Sequence, residues 1–210
     1  MFIPKLSLLA LATLAVTQTC VSASQCTPFT TDFTKGSAPG WSEITGKGGD
    51  SFASDGLELS VTAPKQYVKM TDPTQDNLPY NKYTSNTNPN YAYKTPIQFG
   101  KVSYVVKSSP GTGVVTAPIL ISSEGDEIDF EMLGADPSHV QTNYFYGDKP
   151  VYGVNGGNHA VSSTTDGFHT YTIDWSPERI VFSFDGKVLR TQTKEATCKG
   201  SECSYPYHPL

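Results

Sequence analysis

The chain reads as an all-β protein, a sandwich or a barrel, on three observations. Val102, Tyr104 and Val106 alternate with Ser103, Val105 and Lys107, and Tyr171, Ile173 and Trp175 alternate with Thr170, Thr172 and Asp174; a period of two gives each strand one buried face. Ile180, Phe182 and Phe184 repeat the pattern and run into Asp185-Gly186, a strong hairpin signal, before Lys187-Val188-Leu189. From Phe29 onward, Gly, Pro, Asn, Asp and Ser clusters separate short β-rich runs, and no long amphipathic helical stretch interrupts them.

In chain order, the first segment is a leader. Met1 to Lys5 carries one positive charge, Leu6 to Val16 is apolar and small apart from Ser7 and Thr13, and Val21-Ser22-Ala23 supplies the small residues of a cleavage site. That is the pattern of a secretory signal peptide, residues 1–23, cut after Ala23 and followed by one domain over 24–210. The apolar run is too short to span a bilayer, which takes roughly 20 such residues. Next, Asp72 to Asn90, with Pro73, Pro79, Pro89 and several Asn residues, reads as one long loop. Gly153-Val154-Asn155-Gly156-Gly157-Asn158 has no helix after it and reads as a turn, not a phosphate cradle. Past Ala23, three cysteines remain: Cys198 and Cys203 can close a short loop in an oxidising compartment, and then either Cys26 is free, or its partner lies beyond Leu210, or the leader is cut before Cys20.

The segment richest in chemistry is Asp126-Glu127-Ile128-Asp129-Phe130-Glu131-Met132, where acid and apolar residues alternate from Glu127 on. On a strand, Glu127, Asp129 and Glu131 share one face while Ile128, Phe130 and Met132 share the other. Three carboxylates in a row repel one another, so at least one pKa rises. A protonated acid beside an ionised carboxylate is what glycoside hydrolysis uses. The Cα atoms of Glu127 and Glu131 lie ~13 Å apart on an extended strand; leaning side chains and a bent sheet bring the carboxyls toward the ~5–5.5 Å of a retaining pair. The same pattern also fits an acidic solvent-facing strand or a cation site. Gln141 and Asn143 alternate onto one face, and Tyr144, Phe145, Tyr146 and Tyr152 offer ring faces for sugars or ordinary sheet packing. Trp175 reads as core and His169 as a structural histidine.

Other functions are disfavoured. The net charge is −5, and loss of Lys5 with the leader makes the chain more acidic; with no basic patch, nucleic acid and anionic membrane are poor partners. The histidines show no H-E-x-x-H spacing and no G-x-S-x-G elbow occurs, so the sequence offers no metal-hydrolase or serine-hydrolase motif, and no cofactor motif.

Glu127-Ile128-Asp129-Phe130-Glu131 resembles the E-I-D-x-E signature of glycoside hydrolase family 16. The flanking segments Phe99-Gly100-Lys101-Val102, Ser109-Pro110-Gly111-Thr112-Gly113, Val140 to Phe145, Phe168 to Tyr171, Asp174-Trp175 and Asp185-Gly186 resemble its fungal Crh-type transglycosylases, in the same order. The resemblance runs from about Phe29 to the C-terminus. It implies a curved two-sheet β-jelly roll and retaining transfer that joins chitin to β-glucan in a secreted, cell-wall setting. By position it makes Glu127 the nucleophile, Asp129 the assisting acid, Glu131 the general acid/base, and Gln141, Asn143, Tyr144 and Phe145 candidate sugar contacts. Met132 departs from the aromatic residue common after the second Glu. The resembled domain also continues past the position of Leu210, so a C-terminally incomplete sandwich is expected. Two other readings stay open: a β-glucan hydrolase, or a secreted carbohydrate-binding protein of weak turnover.

Overall fold

The computed structural model describes residues 8–10, 28–46, 48–74, 77–147, 151 and 153–210. The cleavage site after Ala23, Cys26 and Tyr152 lie outside them. The strands in chain order begin with β1 (Leu8–Ala10), β2 (Trp41–Thr45), β3 (Asp50–Ala53), β4 (Gly56–Leu59), β5 (Lys69–Asp72), β6 (Leu78–Asn81) and β7 (Asn90–Tyr93). Then come β8 (Gly100–Val106), β9 (Val115–Thr116), β10 (Ile119–Ile121), β11 (Glu127–Leu133), β12 (His139–Phe145) and β13 (Gly157–Ala160). The last are β14 (His169–Trp175), β15 (Arg179–Phe184), β16 (Lys187–Thr193), β17 (Cys198–Lys199) and β18 (Glu202–Cys203). Among the described residues no helix is long and apolar enough to cross a membrane.

Two antiparallel sheets make the jelly-roll sandwich. One runs β10-β11-β12-β13, with β9 also on β11; the other runs β16-β15-β14-β8. The alternating residues meet between them: Val102, Tyr104 and Val106 from β8, Tyr171, Ile173 and Trp175 from β14, and Ile180, Phe182 and Phe184 from β15 are all buried. Phe130 of β11 makes edge-to-face contacts with Tyr171 at 5.6 Å and with Phe182 at 5.4 Å, which lock the layers together. Ile128, Phe130 and Met132 are wholly withdrawn from solvent, so the apolar half of the acidic strand forms part of the core.

Asp185 and Gly186 both take positive φ, 47° and 78°, as a two-residue hairpin turn needs. The tract from Asp72 to Asn90 differs from the expected single loop. Leu78–Asn81 pairs with Lys69–Asp72 in a hairpin, and Thr62 bridges to Thr87. Pro79 is tolerated because this two-stranded ribbon has free edges. Asn81 completes it: its amide donates to the Gln66 and Tyr83 carbonyls and its oxygen accepts from the Val68 N–H. Gly157 and Asn158, expected in a turn, already belong to β13. Cys198 and Cys203 face each other across β17 and β18 and form a disulfide.

The segment after β18 is tied into the sandwich. Ile97 and Leu210 exchange two backbone hydrogen bonds at 2.7 and 2.8 Å, and the Tyr205 hydroxyl donates to the Ser176 carbonyl. The indole N–H of Trp175 donates to the Pro206 carbonyl. Its strongest anchor is Asp126, the residue before β11. One oxygen of this fully buried carboxylate accepts from the Gly147 N–H, and the other accepts from the N–H groups of Tyr207 and His208 and lies 3.1 Å from His208 Nδ1.

Candidate active site

The antiparallel register of β10, β11, β12 and β13 builds one outward face. Ile121, Glu127 and Phe145 stand in one cross-strand row, Ile119, Asp129 and Asn143 in the next, and Glu131, Gln141 and Asn158 in a third. Residues directly opposite in an antiparallel pair project to the same side. Glu127 and Asp129 therefore have isoleucine neighbours toward β10, while toward β12 Glu127 meets the ring of Phe145 and Asp129 and Glu131 meet amides. Ile119, Ile121 and Asn158 were not singled out from sequence. The two isoleucines alternate with buried Leu120, a signal that was present; Asn158 was hidden by the glycines around it.

The three carboxylates differ in exposure. Glu127 and Glu131 are partly exposed, while Asp129 is only 2% exposed, and its Oδ1 has no hydrogen-bond partner. Burial pushes the Asp129 carboxyl up to about 7, reinforced by the charges of Glu127 and Glu131 and opposed by that of Arg190. Burial also raises Glu127, with the Glu131 charge adding to it. A neutral Asp129 between two glutamates removes one of three like charges from the row and frees both neighbours of its repulsion.

Of the four candidate sugar contacts, the structure brings three to this face: Gln141, Asn143 and Phe145. Tyr144 is a correction. Its even position turns it inward opposite Ile128, where it is 3% exposed and packs in the core. Tyr146 likewise packs partly against the core. Trp175 is buried in the core, and His169 is held between Asp185 at 2.7 Å and Asp166 at 3.2 Å, away from the acidic strand.

A jelly-roll sandwich with acids at every second position of one central strand, a buried one between two accessible ones, defines a carboxylate-lined face. The model of the family described as glycosyl hydrolases family 16 matches residues 43–210, and the chain belongs to that family. It is 47% identical over 113 residues to Crh-like protein 2 of Aspergillus fumigatus, covering 53% of this chain and 25% of that protein. It is 32% identical over 218 residues to Crh-like protein 1 of the same organism, covering 100% of this chain and 53% of the relative. The chain thus spans from a quarter to about half the length of these relatives. Among solved structures it resembles a Crh5 transglycosylase in complex with NAG, with a TM-score of 0.66 and 30% identity over 99% of this chain and 69% of that one.

Proposed function

We propose that this protein carries out retaining glycosyl transfer on cell-wall β-glucan and chitin, by double displacement. The observation that carries the reading is the placing of Glu127 and Glu131 on one face of β11, accessible, with the buried and raised Asp129 between them. Glu127 attacks the anomeric carbon while protonated Glu131 gives its proton to the departing sugar oxygen. Glu131 then takes a proton from the acceptor hydroxyl as that oxygen displaces Glu127. Asp129, its carboxyl pushed up to about 7, holds its proton below that pH and so adds no third negative charge between the two glutamates.

Gln141, Asn143 and Phe145 supply amide groups and one ring beside the reacting row, a combination suited to sugar hydroxyls and C–H faces. The transglycosylase named for the similar solved structure, and its bound NAG, favour an N-acetylglucosamine polymer as one of the two substrates. The leader over 1–23 directs the chain out of the cell, to the wall where such polymers lie. Incubation with fluorescent chitin oligosaccharides and β-glucan, followed by separation by length, tests this. Lengthened or hybrid products are expected; shortened products alone make the protein a hydrolase, and unchanged material makes it a binder.

A further inference from the structure

Behind the carboxylate face lies a cation that the sequence pattern conceals. The register of β15 and β16 slips between Phe182 and Ser183: Ser183 faces Val188, but Phe182 faces Arg190, which leaves Leu189 as the extra residue of a bulge. Without that bulge Arg190 would oppose Val181 and point out of the sandwich. With it, the guanidinium enters between the sheets. Nη1 donates to the Asn155 carbonyl at 2.7 Å and to the carbonyl and hydroxyl of Thr142 at 3.3 and 3.4 Å, while Nη2 donates to Gln192 Oε1 at 3.0 Å. The rings of Tyr144 and Phe182 each lie 5.8 Å from it.

Its anchor points are close to the reacting row. Thr142 stands opposite Phe130, between the rows of Asp129 with Asn143 and Glu131 with Gln141. Asn155, which receives the shortest bond, in turn donates to the Tyr144 carbonyl. The fork thereby ties β16 of one sheet to β12 of the other immediately behind the acidic strand. A lysine, with a single point of charge, cannot reproduce that geometry.

Building on the transfer activity proposed above, we propose that Arg190 is a positioning residue for the carboxylate trio: from the reverse side of the sheet it fixes the Gln141–Asn143 stretch beside Asp129 and Glu131 and sets a half-buried positive charge behind them. The charge acts on Asp129, whose proton it helps to release against the raising influence of burial, Glu127 and Glu131. The other titratable groups facing Arg190 are Tyr144 of β12 and His159 of β13; His159 lies 2.9 Å from the Thr142 hydroxyl and is lowered by burial and then by the Arg190 charge.

Two measurements on the full chain test this. In the first, ¹³C-carboxyl NMR follows the titration of Asp129 in wild type and in Arg190→Met, or in the neutral donor variant Arg190→Gln if the first does not fold. The midpoint is expected to move upward; an unchanged midpoint overturns the proposal whether or not the chain turns over sugar. In the second, Arg190→Lys, which keeps the charge but not the fork, is expected to lose about tenfold in kcat with KM nearly unchanged. Wild-type kcat in folded Arg190→Lys also overturns it. A wild-type chain inactive on every glycan tested defeats the transfer reading alone, and the Asp129 titration still decides the role of Arg190.

Discussion

Asp126 and Asp129 stand three residues apart, both withdrawn from water, in opposite surroundings. Asp126 turns inward, and its two oxygens meet three backbone N–H groups and a histidine nitrogen. Asp129 turns outward between two other carboxylates and keeps an oxygen with no partner. Burial alone therefore does not mark a working acid. A buried carboxylate with its donors supplied is a fastener; one denied donors stores an unfavourable interaction that chemistry can draw on.

Substitutions on the two sides of this strand segment should separate accordingly. Glu127→Gln and Glu131→Gln are each expected to lower turnover by roughly 10²–10⁴-fold without lowering the melting temperature, seen in glycan transfer and calorimetry side by side. Turnover at the wild-type rate in either variant removes that residue from the mechanism. Asp126→Ala should do the reverse, leaving the N–H groups of Gly147, Tyr207 and His208 without their acceptor at a cost of about 1–3 kcal/mol. A denaturation midpoint equal to wild type would show the fastener to be idle.

Asp129→Asn sharpens the contrast because its effect on stability has the other sign. The Asp129 pKa is about 7 when folded, against an unfolded value near ~3.9, so the unfolded chain sheds this proton first as pH rises. Between those values the folded state binds more protons, and stability falls with increasing pH. The amide has no such dependence. The variant should match wild type near pH 3 and exceed it at pH 8, by on the order of 4 kcal/mol at most, while its activity profile shifts or falls. A loss of stability at pH 8 would contradict the assignment of Asp129 as a raised, unsatisfied acid. The smallest effects concern neighbours in sequence: Phe145→Ala, on the outward face, should raise KM several-fold, whereas Tyr144→Phe, inside, should leave transfer kinetics unchanged.

Strand faces were legible where alternation was uninterrupted. Val102 to Val106, Tyr171 to Trp175, Ile180 to Phe184 and Glu127 to Met132 all bury the residues their period of two selects. The acidic trio was legible for the same reason. Tyr144 was misjudged because residue type was weighed above parity: in one strand it cannot share a face with Asn143. Arg190 was invisible because a bulge breaks the period that would have placed it, and a bulge depends on cross-strand pairing that local sequence does not carry. Asp126 looked like one more acid of the run; its donors lie 21, 81 and 82 residues downstream.

That last separation bears on the birth of the protein. A ribosome adding about 5–20 residues per second brings out the acidic strand well before Tyr207 and His208. For roughly ten seconds the Asp126 side chain has water for company, and the residue before Glu127 has no anchor. Contacts this distant along the chain also close slowly. The carboxylate face is therefore expected among the last parts of the molecule to set, and a nascent chain stalled before residue 207 would carry all three acids on a strand whose entry point lacks two of its donors.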